Sequence, residues 1–163
     1  MTDFPGLLKV LTQAGVDFVI VGGAAATVHG SARLTQDLDL VYGRNRENLS
    51  RLVSALAPYR PYLRGAPPGL PFAWSEQTLQ NGLNFTLVTT LGAIDLLGEI
   101  AGGGTFDSLK RQSVSLEIFG VRCFCLSLDA LIAAKRAAGR PRDLEAIAEL
   151  EMIREEKENS GQE

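Results

Sequence analysis

Two aspartates, Asp37 and Asp39, lie two positions apart in the otherwise apolar segment D-L-D-L-V-Y. Side chains at this spacing on a β-strand point to the same face of the sheet. Two carboxylates on one face repel each other and are costly to bury, so we expect a cation between them. Mg²⁺ and Mn²⁺ prefer oxygen ligands and are the expected cofactors. The alternative interpretation is a solvated strand face or a turn that caps a helix.

A third carboxylate, Asp95, lies in the apolar segment A-I-D-L-L, which is predicted to be a later strand. An aspartate in such a strand is out of place unless it has a partner. If its strand lies beside the strand of Asp37 and Asp39, the three carboxylates converge. Such a cluster can hold two divalent cations for an in-line displacement at phosphorus. We therefore predict that the three carboxylates lie within reach of a shared metal site.

A glycine pair, Gly22-Gly23, follows the apolar run F-V-I-V and precedes a short helix of small residues. Glycine lets the backbone approach a ligand closely, and the free amides of a helix start can bind phosphate oxygens. The alternative is a tight strand-to-helix turn that binds no ligand. Because the pair precedes the Asp37–Asp39 segment in the chain, the sequence favours a phosphate site beside a metal site.

The spacing of the apolar residues predicts the elements that position these side chains. The predicted helices span 4–14, 24–29, 45–56, 128–138 and 141 to about 157, with a short turn or helix over 106–111. The predicted strands span 17–21, 38–42, 93–97, 113–118 and 121–126, and the last two form a hairpin. We also predict a hairpin between 77–80 and 83–89, because Asn81-Gly82 favours a two-residue turn. Segment 57–71 is predicted to be an irregular loop, and Gly102–Gly104 a flexible link.

In combination, these motifs resemble the nucleotidyltransferase superfamily, whose fold was first described in DNA polymerase beta. The shared signature is a Gly-Gly pair at a helix start, D-x-D on the next strand and an aspartate on a later strand. The longer motif G-G-A-A-A-x-x-H-G-x-x-R-x-T-x-D-L-D-L is similar to small bacterial and archaeal members related to toxin–antitoxin and abortive-infection nucleotidyltransferases. The segment C-L-S-L-D-A-L-I-A-A-K-R-A-A-G-R-P-R-D-L-E-A-I resembles the helix pair of that subgroup. The resemblance covers roughly residues 15–150.

The resemblance implies an α+β fold with a mixed β-sheet flanked by helices and a C-terminal helix pair. We expect a nucleotidyltransferase core over 1–127, the helix pair packed on it over 128–158, and a frayed tail over 159–163. A chain of 163 residues fits a single domain overall.

The resemblance also implies a role for each site residue. Asp37 and Asp39 would ligate magnesium or manganese, and Asp95 would complete the second metal site and help to activate the acceptor hydroxyl. These three are the predicted catalytic residues. The predicted nucleotide-binding residues are Gly22, Gly23, Arg33, Thr35 and Lys135. For Arg33 and Thr35 the alternative is that they fix their loop, and for Lys135 it is a solvated helix face.

The implied activity is metal-dependent transfer of a nucleoside monophosphate from an NTP to a hydroxyl of an RNA such as a tRNA, of a protein or of a small molecule. A toxin–antitoxin system is the implied setting, and a partner protein or a homodimer would complete the site. The alternative is a catalytically silent nucleotide-binding or antitoxin-like partner module of the same fold.

The bulk properties are those of a globular protein, with 45% hydrophobic and 21% charged residues. The net charge of −3 argues against a protein that only coats nucleic acid, although a basic stretch over 108–142 precedes an acidic one.

Cys123 and Cys125 are predicted to pack on one face of a strand. Cysteines at this spacing have poor disulfide geometry, and the sequence has no other cysteine to pair with them, so a reducing cytoplasm is expected. No window is apolar enough for a membrane span. His29 is predicted to be structural, with a general base as the alternative.

Overall fold

The computed structural model of the chain describes residues 1–102 and 104–161. Its α-helices are α1 (Phe4–Gln13), α2 (Gly22–Val28), α3 (Arg46–Leu56), α4 (Glu76–Asn81), α5 (Phe106–Arg111), α6 (Leu128–Ala138) and α7 (Pro141–Asn159). Its strands are β1 (Phe18–Ile20), β2 (Asp37–Tyr42), β3 (Tyr62–Leu63), β4 (Phe85–Thr89), β5 (Gly92–Leu97), β6 (Glu99–Ile100), β7 (Gly104–Thr105), β8 (Ser113–Ile118) and β9 (Val121–Leu126).

One seven-stranded mixed sheet organises the fold, in the order β3-β4-β5-β2-β1-β9-β8. Strand β2 runs antiparallel to β1 and parallel to β5, and β9 runs parallel to β1. All three residues of β1 are buried, because this strand lies in the middle of the sheet and is covered on both faces. The predicted α+β class, with a mixed sheet flanked by helices, is therefore confirmed.

The helices bury apolar stripes against this sheet. Helices α1 and α3 pack against each other, and each places three leucines in the core. Asn48 of α3 is fully buried and ties that helix to the strand ends. Its amide nitrogen donates to the carbonyls of Asp17 and Gly43 at 3.0 and 2.7 Å, and its oxygen accepts from the Asp17 amide at 2.6 Å. Burial of this amide is tolerated because both ends of the group are paired.

The C-terminal helices α6 and α7 pack against each other as the predicted helix pair. Ser127 caps α6 by accepting from the amide of Ala130, and Gly139 ends it in a left-handed conformation with φ of 65°. Helix α7 begins at Pro141, because the fixed φ of proline suits the first turn of a helix. The start and end of α6 agree with the prediction, and α7 continues two residues beyond the predicted end at Lys157.

The predicted hairpin at Asn81-Gly82 is wrong. Residues 76–81 form helix α4, Gly82 ends that helix, and β4 pairs instead with β5. The hydroxyl of Ser75 accepts from the amide of Thr78 and so caps the helix. An i,i+4 hydrogen bond of 2.9 Å from Gln77 to Asn81 also supports it. These helical interactions outweigh the turn preference of the Asn-Gly pair.

Three other expectations are corrected or lie partly outside the described range. The predicted loop 57–71 contains a 3-10 turn, Ala57–Tyr59, and the short edge strand β3. Gly103 of the predicted glycine link lies outside the described residues, whereas Gly104 belongs to β7, which pairs with β6. In the predicted tail, Asn159 is still helical, and residues 162–163 lie outside the described range. Within residues 1–102 and 104–161, every helix is too short or too polar to cross a membrane.

His29 is a buried link between three elements, in keeping with its predicted structural role. Its Nε2 lies 2.8 Å from the carbonyl oxygen of Leu126, which can only accept, so Nε2 carries the proton. Its Nδ1 then accepts from the Lys157 ammonium at 3.3 Å. Burial is the main cause that lowers the pKa of His29, and the nearby Lys157 charge lowers it further. The hydrogen bond to the Leu126 carbonyl acts in the opposite direction. The folded state therefore favours the neutral imidazole.

The lowered pKa of His29 predicts that the protein loses stability in acid. A lowered pKa in the folded state gives stability that is present above the ordinary value of 6.5 and is lost as the pH falls below it. Glutamine at position 29 can still donate to Leu126 but does not titrate. We expect the stability difference between wild type and His29→Gln to shrink between pH 8 and pH 5, measured by urea denaturation. A difference that stays constant over this range would contradict the assignment.

Candidate active site

The parallel pairing of β2 with β5 brings the three predicted carboxylates together. Asp39 lies directly opposite Asp95 in the register of the two strands, and Asp37 lies on the same face of β2. One carboxylate oxygen from each residue lies within 4.8 Å of the other two. The convergence predicted for Asp37, Asp39 and Asp95 is therefore observed.

Burial, together with the neighbouring carboxylates, raises the pKa of Asp39 to about 7. Burial makes the largest contribution, followed by the hydrogen bond to Asp95 and the negative charges of Asp95 and Asp37. The Gly23 amide, which donates to Asp39 Oδ2 at 3.2 Å, opposes this shift. Without a cation, the cluster therefore holds a proton at neutral pH more readily than an ordinary aspartate.

A residue that sequence reasoning missed, Arg64, already places a positive charge in the cluster. Its Nη2 contacts Asp95 Oδ1 and lies 3.7 Å from Asp37 Oδ2. Arg64 follows β3, a two-residue strand whose alternation is too short to recognise in the sequence. The available signal was an arginine in the proline- and glycine-rich segment, which by itself does not indicate a partner.

The cluster fits a divalent cation. Its donors are carboxylate oxygens, which Mg²⁺ and Mn²⁺ prefer as ligands. Two features of the structure show the demand for positive charge at this position: the raised pKa of Asp39 and the ion pair of Arg64 with Asp95.

The close approach of α2 to Asp39 requires glycine at position 22 and leaves little room for a side chain at position 23. Gly22 has a φ of 60°, and a Cβ at this position would lie 2.5 Å from Asp39 Oδ2. A Cβ on Gly23 would lie 3.1 Å from the Thr35 hydroxyl oxygen. Because a side chain at Gly22 would overlap a carboxylate oxygen, this turn must be glycine for the start of α2 to border the acidic cluster.

A cavity of about 770 Å³ opens between the acidic strands and the helix pair. Its lining includes the three carboxylates, and it also includes every residue predicted to bind the nucleotide: Gly22, Gly23, Arg33, Thr35 and Lys135. The eight predicted residues, which are scattered over more than a hundred positions of sequence, thus border one cleft.

The wall of the cleft formed by the helix pair carries more cations than anions, since Lys135, Arg140 and Arg142 lie there with Asp143 and Glu149. Lys135 of α6 has a mostly buried side chain, so it is not on a solvated helix face, and its Nζ lies 3.6 Å from Asp143 Oδ1. The Asp143 side chain is 1% exposed and accepts from Arg140 Nε at 2.6 Å. The hydrogen bond from the Arg140 side chain is the main reason why the pKa of Asp143 is lowered. Arg140 and Arg142 line the same wall.

The loop before β2 is tied to α7 by a single carboxylate. Glu149 accepts from the Ser31 hydroxyl at 2.6 Å and from the Ala32 amide at 3.2 Å, and it lies 3.7 Å from Arg33 Nε. The Thr35 hydroxyl donates to the carbonyl of Asp37 at 3.2 Å. These contacts support the alternative in which Arg33 and Thr35 fix the loop, although both residues also border the cleft.

No protein-family model and no curated protein sequence matches the chain. Solved structures do match. The lincosamide antibiotic adenylyltransferase LnuA, bound to lincomycin, has a TM-score of 0.59 at 14% identity, over 91% of this chain and 94% of that one. ANT(2")-Ia in complex with adenylyl-2"-tobramycin has a TM-score of 0.52 at 14% identity, over 94% of both chains.

A third similar structure is an antigenic nucleotidyltransferase-like protein from Paracoccidioides brasiliensis. It has a TM-score of 0.55 at 17% identity, over 90% of this chain and 72% of that one. At these identities the likeness concerns the fold, and the predicted resemblance is confirmed at that level. The chain has the fold of the nucleotidyltransferase superfamily.

Proposed function

We propose that the protein is a metal-dependent nucleotidyltransferase, which moves a nucleoside monophosphate from an NTP to an acceptor hydroxyl. The observation that carries this proposal is the construction of one cleft from two opposite walls. Asp37, Asp39 and Asp95 form the acidic wall, and Lys135 with its neighbouring arginines forms the basic wall. Transfer at a triphosphate needs positioned positive charge more than it needs covalent chemistry. The basic wall would supply this charge directly, and the acidic wall would supply it through a bound divalent cation.

The proposed roles follow from the positions of the side chains. Mg²⁺ or Mn²⁺ held by the three aspartates would stabilise the charge that develops on the transferring phosphoryl oxygens. The acceptor oxygen forms a bond to the α-phosphorus, the bond to the bridging oxygen breaks, and pyrophosphate leaves. Asp95 takes the proton of the acceptor hydroxyl. Lys135 neutralises charge on the β- and γ-phosphates, and Gly22 and Gly23 let the triphosphate approach the backbone closely.

For the acceptor, we propose a hydroxyl of a small molecule. The support is the likeness in fold, over 91% and 94% of this chain, to the lincosamide antibiotic adenylyltransferase LnuA bound to lincomycin and to ANT(2")-Ia in complex with adenylyl-2"-tobramycin. RNA and protein acceptors, including a tRNA in a toxin–antitoxin setting, are the competing possibilities. A homodimer or a partner protein that completes the acceptor site belongs to the same proposal.

Cys123 and Cys125 are both free and buried, which supports a reducing compartment such as the cytoplasm.

The second candidate is a nucleotide-binding module without turnover. The specific observation in its favour is Arg64, whose guanidinium lies against Asp95 where a catalytic cation would be expected. In this case the protein would bind NTP, with a Kd measurable by calorimetry, but would release no pyrophosphate with any acceptor.

An acceptor screen tests the proposal. The full chain is incubated with each of the four NTPs, labelled at the α-phosphate, and with Mg²⁺ or Mn²⁺. Separate reactions contain lincosamides, aminoglycosides, total cellular RNA or lysate protein. Label that moves to a small molecule supports the proposed acceptor class, and label on RNA or protein selects the competing class. Tight NTP binding with no labelled product in any reaction would favour the silent module.

A further inference from the structure

We propose that Arg64 is a built-in competitor for the divalent cation, so that metal binds at Asp95 only by displacing the Arg64 guanidinium. This inference rests on the proposed function, because it concerns the same three-carboxylate site. It adds a residue that sets the metal affinity without being a metal ligand.

The competition follows from the position of the guanidinium. Its Nη2 contacts Asp95 Oδ1 and lies 3.7 Å from Asp37 Oδ2, and these two residues belong to the group whose oxygens lie within 4.8 Å of one another. A divalent cation ligated by Asp95 Oδ1 would lie within a few ångströms of Nη2. Like charges at such a distance repel strongly in a partly buried site. The two cations therefore exclude each other.

The backbone of Arg64 is held in the sheet, whereas its side chain takes no part in the strand pairing. The Arg64 amide donates to the carbonyl of Thr86 at 3.0 Å, and Thr86 lies opposite Asp95 in the sheet register. Among the described residues, the guanidinium has one further hydrogen bond beyond the two carboxylates, a long one of 3.4 Å to the carbonyl of Leu87. The side chain is 29% exposed, so it already borders solvent. Its displacement breaks no strand pairing.

An arginine suits this role because it stays charged at every physiological pH. Its guanidinium can leave the carboxylates only when a competing cation or a new anionic partner replaces the interaction. Arg64 therefore stabilises the metal-free cluster and weakens metal binding at the same time. A residue that only supported the fold would lower stability when removed and would leave the metal affinity unchanged or weaker.

Two measurements on the metal-stripped full chain test whether Arg64 has opposite effects on stability and on metal affinity. Calorimetric titration with Mn²⁺ gives the metal affinity, and thermal unfolding gives the stability. We expect Arg64→Gln to bind Mn²⁺ about tenfold more tightly than wild type and to melt at a lower temperature without metal. Arg64→Lys keeps the charge, and its affinity should stay closer to that of wild type. Arg60→Gln is the matched control, because Arg60 is an exposed arginine four positions earlier and belongs to none of the ion pairs among the described residues.

The outcomes separate this inference from the proposed function. If wild type and Arg64→Gln bind Mn²⁺ with equal Kd, the competition is refuted and the metal site stands. An equal gain in Arg60→Gln would also refute it, because the effect would then be one of net charge. If neither wild type nor Arg64→Gln binds Mn²⁺, both the inference and the proposed metal-dependent function are overturned.

Discussion

Replacing Asp39 with asparagine is expected to abolish nucleotidyl transfer and, at the same time, to stabilise the metal-free protein. Asparagine retains the shape of the side chain but loses the charge that binds the cation. We expect the rate to fall by about 10³-fold or more, as for a residue that acts directly on the reacting centre. The opposite effect on stability follows from the electrostatics of the cluster.

The sign of the stability effect depends on pH. The pKa of Asp39 is 3.8 in an ordinary environment and about 7 in the folded protein. The folded state therefore holds the proton more tightly than the unfolded state does. Stability falls as the pH rises from about 4 to about 7, and the loss is complete above that range. Asp39→Asn removes this loss and should raise the free energy of unfolding by about 1–3 kcal/mol at pH 8.

Urea denaturation in the presence of a chelator, at pH 8 and pH 5, measures this gain. The difference between variant and wild type should be larger at pH 8 than at pH 5. Glu99→Gln removes the same charge from an exposed position and should change stability little at either pH. A destabilised Asp39→Asn at pH 8 would show that Asp39 serves the fold rather than a cation.

Removal of Asp143 is expected to have the largest effect on stability. Its side chain is 1% exposed and joins Arg140 and Lys135, and its Oδ2 accepts from the Arg140 amide at the start of α7. Asp143→Ala leaves these cations without their shared partner and removes the cap, which should cost about 2–4 kcal/mol. Asp143 holds the Lys135 ammonium at the cleft. Without this contact the ammonium is less well positioned for the triphosphate, so the KM for NTP should also rise.

Asp129→Ala is the matched control for this prediction. Asp129 also pairs with an arginine, Arg154 at 3.1 Å, but its side chain is 78% exposed. An exposed pair contributes about 0–1 kcal/mol, so this variant should unfold at nearly the wild-type urea concentration. If the two aspartate variants lose equal stability, the contacts of buried Asp143 with Arg140 and Lys135 contribute no more to stability than an exposed ion pair does. An unchanged KM for NTP in Asp143→Ala would remove its role in positioning Lys135.

The parts of the site that could be predicted are those whose signal is local. Asp37 and Asp39 share a strand face because of their two-residue spacing, and Gly22-Gly23 marks the turn by residue type alone. Asp95 could be predicted because a carboxylate within an apolar strand needs a partner. The register that sets it opposite Asp39 is a property of the folded sheet, and only the structure shows it.

The parts that could not be predicted depend on contacts between distant segments. Arg64 reaches Asp95 because β3 pairs with β4 and β4 with β5, and a two-residue strand has no readable alternation. Asp143 stands in a helix start, where an aspartate is ordinary, and its link to Lys135 appears only when α6 and α7 pack. The error at Asn81-Gly82 has a different cause, because a local cap from Ser75 outweighed a strong turn signal.

The most direct test of nucleotidyl transfer follows two labels of the same NTP. The full chain is incubated with Mg²⁺ or Mn²⁺, an acceptor identified by the screen, and NTP labelled at either the α- or the γ-phosphate. The proposed reaction predicts that the α-label joins the acceptor while the γ-label leaves in pyrophosphate, and that Asp39→Asn does neither. A γ-label on the acceptor, or equal transfer by wild type and Asp39→Asn, would contradict the proposed reaction.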